Sequence, residues 1–125
     1  MNPYFIITGL VFAYFIKDSF YNNGNIDKTI KNYFSNSIFI DVRTKEEYDQ
    51  GHFNNAINVS FDSINNKVAD RIFEIQKNKN IVVYCRSGRR AKIAYNKLKN
   101  FGIKNIYYTT FDYVNLKNLF KKKNN

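Results

Sequence analysis

Apolar positions along this chain fall first into one unbroken run and then into two alternating periodicities. From Pro3 to Ile16 (PYFIITGLVFAYFI) no residue is charged, and Lys17 and Asp18 close the run. As a helix it would span about 21 Å at about 1.5 Å per residue, short of the roughly 30 Å hydrocarbon core. A lysine at the interface can snorkel, which lets the helix extend a little further. The run lacks the basic start and the small-residue cleavage site of a signal peptide. It is also apolar on every side, unlike an amphipathic core helix. A membrane anchor formed by an apolar N-terminal helix over residues 1–17 is therefore expected. A signal peptide for a secreted or periplasmic product and a core or partner-facing helix are the alternatives. Lys17, Lys28 and Lys31 follow the run, and the positive-inside bias then keeps the domain on the cytoplasmic side.

Residues 18–25 (DSFYNNGN) read as a polar linker, residues 26–120 as one domain without internal repeats, and residues 121–125 as a basic tail. Ile26, Ile30, Tyr33 and Phe34 share a helical face that Asn25 can cap. Ile38–Val42 reads as a mostly buried strand. Thr44 and Glu47 have the spacing of a capping box, so a short helix starts there and stops near Gly51. Ala56 to Val59 is a short extended piece, and Ile64, Val68, Ile72 and Ile75 form a second helical stripe. Ile81-Val82-Val83-Tyr84 is an apolar run bounded by polar residues, which marks a central strand covered on both faces. Ala91, Ala94, Tyr95 and Leu98 line one helix face, with Gly102 as its stop. Ile106 to Tyr108 is a further strand and Phe111 to Phe120 a last helix. Alternating strands and helices predict an α/β domain with a mainly parallel sheet of about five strands and right-handed crossovers.

Composition narrows the chemistry. At 125 residues, 44% hydrophobic and 18% aromatic, the chain can bury one core. Its single cysteine, Cys85, excludes an intramolecular disulfide, and with a single histidine, His52, no all-Cys/His structural zinc site can form. The net charge of +10 comes from scattered lysines amid many asparagines. No basic stripe is interleaved with stacking aromatics, and Lys121, Lys122 and Lys123 form a short solvated end, so nucleic acid is not an expected partner.

In open parallel sheets ligands sit beyond the carboxyl ends of the strands, and Cys85 follows such an end. The segment Cys85-Arg86-Ser87-Gly88-Arg89-Arg90-Ala91 leaves a buried strand and enters a helix. Such a turn points consecutive amides at one spot, and Gly88 permits the positive φ that a nest of amides needs. The helix start and the guanidinium groups of Arg86, Arg89 and Arg90 favour a thiolate over a thiol and hold an anionic substrate. A buried, inert cysteine is the bland alternative, but an apolar core would not choose these neighbours. Cysteine-dependent phosphatases space the gripping arginine six positions after the cysteine, where this chain has Ala91. The shorter arrangement suits a smaller acceptor, the outer sulfur of a persulfide.

Two separated segments carry a family resemblance. Ile40-Asp41-Val42-Arg43, Glu46-Glu47-Tyr48 and Gly51-His52-Phe53-Asn54-Asn55-Ala56-Ile57-Asn58 form the first, and Ile81 through Ala91 the second. In order and spacing they resemble the single-domain rhodanese (thiosulfate sulfurtransferase) family over roughly residues 26–120. The resemblance implies a rhodanese-like fold and double displacement through a Cys85 persulfide. Its donor would be a small anion such as thiosulfate or another persulfide, and its acceptor a thiol, cyanide or a partner protein. Arg86, Ser87, Gly88, Arg89, Arg90 and Ala91 would form the substrate and persulfide loop, with Arg86, Arg89 and Arg90 orienting the donor. Asp41, Arg43, Glu47 and His52 would be supporting: Asp41 bracing loops, Arg43 in reach of Glu47, and His52 structural rather than a general base. No metal and no organic cofactor is implied. Phe111-Asp112 stand where the family has a Gly-Gly pair, Leu116 where it has tryptophan, and Asn54-Asn55 where it has proline. These changes touch the rim of the pocket rather than the loop. A catalytically weak module that binds an anion or a partner is the main alternative, and a phosphatase or arsenate reductase on the same fold the lesser one. The anchor expectation is checked by membrane fractionation: removing residues 1–17 should move the protein to the soluble fraction, and equal partition of both forms would reject it.

Overall fold

Tyr84 and the three residues before it are completely buried, because the apolar run occupies a strand with neighbours on both sides and helices on both faces. The computed structural model describes residues 24–121. Its strands are β1 (Ser37–Asp41), β2 (Ile57–Asn58), β3 (Asn80–Tyr84) and β4 (Ile106–Tyr108). Among the described residues they form one parallel sheet of four strands in the order β2-β1-β3-β4. The helices are α1 (Lys45–Gln50), α2 (Asn66–Gln76), α3 (Arg89–Asn100) and α4 (Tyr113–Leu119), with 3₁₀ turns at Asp27–Tyr33 and Phe61–Ser63. The apolar run 3–16, the N-terminal helix and anchor expected there, and Lys122 and Lys123 lie outside the described residues. Among the described residues no helix is long and apolar enough to cross a membrane.

Among the described residues a bridge stands in place of a full fifth strand. Asn25 pairs with Tyr108 in parallel, with Ile26 N donating to Tyr108 O at 3.0 Å and Tyr108 N to Gly24 O at 2.8 Å. Gly24 and Asn25, polar in composition like a linker, thus edge the sheet. The segment then turns at once into the 3₁₀ helix. That helix buries Ile26 and Ile30 but leaves Phe34 46% exposed. The spacing of its apolar residues fits a 3₁₀ and an α-helix equally well over so short a span. On α2, Ala69, Ile72 and Gln76 take the buried face while Ile75 is 42% exposed. The stripe follows i+4 from Ile72, and the Gln76 amide donates to Lys104 O. The last helix starts later than the apolar pattern suggests, at Tyr113, because the Asp112 side chain accepts from Asn115 N at 2.8 Å.

Strand alternation splits the core into two layers. Ile40, Val42, Ile81, Val83 and Cys85 face α2 and α3, packing on Ile72, Ala91, Ala94 and Leu98. Phe39, Val82 and Tyr84 face the other way, onto Phe53, Ala56, Ile30 and Leu116. Full burial of each large aliphatic side chain contributes about 1.5–3 kcal/mol.

The register puts Asp41 beside Tyr84 on the second face, where a carboxylate is costly unless fully satisfied. It is satisfied. Asp41 accepts from Arg43 N at 3.0 Å, from Arg43 Nε at 2.9 Å, from Arg43 Nη2 at 2.6 Å and from Tyr84 Oη at 2.9 Å. Arg43 Nη2 also donates to Gly51 O at 2.6 Å, and Tyr84 Oη accepts from Phe53 N at 2.9 Å. Burial opposes the Arg43 charge, yet the Asp41 hydrogen bonds and charge outweigh it and raise the guanidinium's pKa. Burial likewise pushes the Tyr84 phenol up. Asp41→Ala would strand a buried guanidinium, so urea denaturation should show a loss of about 3–5 kcal/mol, and Tyr84→Phe about 1–3 kcal/mol. Losses below about 1 kcal/mol for both would show that the network does not hold the loops.

Candidate active site

Every α-helix begins with amides that have no carbonyl partner in the helix. Thr44 solves this for α1 with the expected capping box: Glu47 N donates to Thr44 Oγ1 at 3.2 Å and Thr44 N to Glu47 Oε1 at 3.2 Å. Asn65 does it for α2 by accepting from Val68 N at 3.0 Å. At α3 the cap residue is Gly88, which has no side chain to offer. The acceptor is Cys85 instead. Its Sγ accepts from Gly88 N at 3.0 Å and from Ala91 N at 3.4 Å. A sulfur at the positive end of a twelve-residue helix thus takes the place of a cap side chain, and both bonds strengthen when the acceptor is ionised.

Gly88 makes this possible twice over. Its φ is +96°, a left-handed conformation that costs other L residues strain. A Cβ there would also lie 2.8 Å from Thr110 Cγ2 and 3.0 Å from Thr110 Cα. Cys85 itself is 1% exposed, yet it forms the floor of a cleft of about 300 Å³, which Arg43, Glu47, Gln50, Arg86, Asp112 and Tyr113 also line. That is the small end of the range for ligand pockets. A larger cavity, about 460 Å³, lies at the other end of the sheet beside Lys99, Lys104 and the start of β4. The chain's one cysteine lines the smaller cleft instead.

The three arginines of the loop separate in role. Arg86 is exposed and lines the cleft. Arg90 is held by Glu47 in a two-pronged pair, Nη1 to Oε1 at 2.7 Å and Nη2 to Oε2 at 3.0 Å. Arg89 is exposed on the first turn of α3, outside the cleft lining. Of the three expected to orient a donor, the structure therefore places only Arg86 at the cleft wall. Ser87 is exposed at the loop's crest. The expected pairing of Arg43 with Glu47 is also replaced: Arg43 turns inward to Asp41, and the carboxylate it leaves is taken by Arg90. Arg43 can satisfy its donors on a buried anion two residues away, while Glu47 sits at a helix start facing α3.

Asp41 holds Arg43 and Tyr84, which in turn reach Gly51 O and Phe53 N, and His52 packs on α1. Its ring stacks on Tyr48 at 3.7 Å between centroids and 7° between planes, with Nδ1 2.9 Å from Tyr48 O. It is not part of the cleft lining. The residues that sequence reasoning missed are Gln50, Tyr113, Tyr84, Asn58 and Asp27. The Asn58 amide donates to Asp41 O at 3.1 Å and to Arg43 O at 3.0 Å. Tyr113 packs where a Cβ on Gly51 would meet its Oη at 2.6 Å, with the Arg43 guanidinium 4.9 Å from its ring centroid. The departure at Phe111-Asp112 was the available signal for a changed rim, because Asp112 and Tyr113 together form that wall of the cleft.

The Arg90 hydrogen bonds, helped by Thr44, hold the Glu47 carboxyl at about 2 instead of an ordinary 4.5. A depressed folded pKa means the pair stabilises the fold fully above about 4.5 and loses that contribution as pH falls toward about 2. Glu47→Gln should therefore lower stability to urea at pH 7 and make a much smaller difference near pH 2. An equal gap at both pH values would show that the pair is not what the substitution removes.

Residues 24–118 match the family described as Rhodanese-like domain. A tRNA uridine(34) hydroxylase of Yersinia pestis (strain Pestoides F) is 38% identical over 74 residues, covering 58% of this chain and 21% of that protein. The counterpart from Photorhabdus laumondii is 36% identical over the same length. The chain thus spans about a fifth of the length of the curated relatives it matches. Among solved structures, protein hp1203 from Helicobacter pylori superposes with a TM-score of 0.57 at 26% identity, over 73% of this chain and 88% of that one. A rhodanese-related protein from Thermoplasma volcanium gives a TM-score of 0.54 at 22% identity, over 70% and 82%, a likeness of fold.

Proposed function

This chain belongs to the rhodanese-like domain family, and from that premise we propose that it is a sulfurtransferase that carries sulfane sulfur as a Cys85 persulfide. The observation that supports this most is the position of Sγ, at 3.0 Å from one helix-start amide and 3.4 Å from another, on the floor of a cleft that Arg86 also lines. The Cys85 thiolate attacks the outer sulfur of thiosulfate. The donor's S–S bond breaks and sulfite departs with the bonding electron pair, leaving the Cys85 persulfide. A thiol or a partner protein's thiolate then attacks the outer persulfide sulfur, and the Cys85 thiolate is regenerated. Arg86 orients the donor's anionic end at the mouth. Amides between Arg86 and Ala91 stabilise the charge on the transferred sulfur as dipoles already in place.

Two features favour this over phosphoryl chemistry. The position where a phosphate-gripping arginine would stand is Ala91, whose side chain is buried. Arg90, the nearest alternative, is engaged by Glu47 at 2.7 Å. The relatives' activity on tRNA belongs to proteins of which the matched segment is 21%, and this chain supplies only that segment. Tethering through residues 1–17, with the domain facing the cytoplasm, remains part of the proposal.

The test is mass measurement of the full chain after incubation with thiosulfate. A gain of about 32 Da, one sulfur atom, that is absent in Cys85→Ser and lost on adding a thiol, is expected from the carrier step. Arg86→Ala should raise the donor KM by about tenfold, roughly the loss of one charged contact, with the melting transition unchanged. No adduct with thiosulfate or with a low-molecular-weight persulfide would favour a binding module instead.

A further inference from the structure

We propose that Asp27 is a positioning residue for the Cys85 loop, acting through Thr110 and Gly88; the inference rests on the sulfur-carrier reading of that loop. Asp27 opens the 3₁₀ helix on the far side of β4. Its carboxylate gathers three donors from the segment that leaves β4. Thr109 Oγ1 donates to Oδ1 at 2.6 Å, Thr110 N to Oδ1 at 2.9 Å, and Thr110 Oγ1 to Oδ2 at 2.5 Å. The segment is also tied inward, since Thr109 N donates to Val83 O at 3.1 Å and Thr109 Oγ1 accepts from Phe111 N at 3.1 Å. Thr109 is thereby fixed by the sheet. Thr110, exposed and one residue further on, is fixed by Asp27.

Thr110 is the residue that closes the space over Gly88. The 2.8 Å and 3.0 Å approaches of its Cγ2, Cα and Cβ to a Cβ built on Gly88 leave room for a hydrogen atom and nothing larger. Gly88 in turn presents its amide to Cys85 Sγ at 3.0 Å. A continuous chain of contacts therefore runs from the Asp27 carboxylate to the sulfur. Burial disfavours the Asp27 charge, but the bonds from Thr109 and Thr110 outweigh it and hold the carboxyl below its ordinary 3.8. The bonds are accordingly charge-assisted across the neutral range. Without the carboxylate, Thr110 keeps only its peptide links, the wall beside Gly88 loosens, and the amide drifts from the line to the sulfur. Small errors of aim are expensive in rate. The fold has less at stake, because Ile26 and Ile30 anchor the 3₁₀ helix independently of Asp27.

The experiment uses the full chain with Asp27→Ala, Asp27→Asn, Thr110→Val and the Asp27→Ala/Thr110→Val double variant. Glu74→Ala, which removes an exposed carboxylate on α2, controls for net charge. Readouts are the rate of Cys85 alkylation by iodoacetamide at neutral pH, kcat and KM with thiosulfate, and thermal unfolding. Asp27→Ala and Thr110→Val should each lower alkylation and kcat by about three- to tenfold with KM within about twofold. The double variant should be no worse than either single, as for two residues in one chain of contacts. Asp27→Asn, which retains an acceptor for Thr110 N, should recover part of the loss. Wild-type alkylation and kcat in Thr110→Val, additive losses in the double variant, or an equal fall in Glu74→Ala would each overturn the inference. Should Asp27→Ala fail to fold, Thr110→Val decides alone, since it keeps the shape against Gly88 and removes only the hydroxyl. Alkylation needs no sulfur donor, so a chain that takes up no sulfur would refute the carrier reading while still reporting on Asp27.

Discussion

A single buried carboxylate organises the carboxyl end of this sheet. Asp41 has no solvent contact, and each of its oxygens is committed to donors from Arg43 and Tyr84. Those donors are themselves shared: Arg43 with the carbonyl of Gly51, Tyr84 with the amide of Phe53. The turn after β1, the loop after α1 and the end of β3 are thereby referred to one point at the end of β1. An apolar replacement of matching volume could fill the space, but it could not fix where Gly51 and Phe53 lie. Geometry, more than net stabilisation, is what such a buried pair supplies here.

From that point the cleft is assembled by division of labour between charges. Arg43 is consumed by the interior and offers Tyr113 the face of its guanidinium. Glu47 closes the start of α1 and restrains Arg90 on α3, joining the two helices whose N-termini border the cleft. Arg86 is left exposed at the cleft wall. These three arginines thus differ because their neighbours differ, and no property of arginine itself separates them.

What could be read from the sequence was what is decided locally or by burial on both faces. The β3 run, the Thr44–Glu47 box and the Cys85–Gly88 turn each depend on residues within a few positions, and the structure contains all three. The pairing of Arg43 with Asp41 and of Arg90 with Glu47 was not legible, because the second joins positions 43 apart and the first was in competition with it. Asp27 and Thr110, 83 apart, left no local signal at all. Ile75 and Gln76 exchanged their expected places because helix phase over a single turn is set by what the helix packs against. The 3₁₀ character of Asp27–Tyr33 was hidden for the same reason: so few apolar positions cannot distinguish two close periods.

The role of Cys85 as the acceptor for the first turn of α3 has a consequence for how reaction and architecture are coupled. Cys85 Sγ is a structural fastening, so anything that elongates this side chain or removes its lone pairs unfastens the beginning of a helix. If Cys85 carries a persulfide, as proposed, the cargo sulfur and the inner sulfur share one small set of N–H groups. On the proposed reading, loading Cys85 with sulfur is, in mechanical terms, a redistribution of grip at a helix start, and an acceptor that took the cargo away would restore the original fastening.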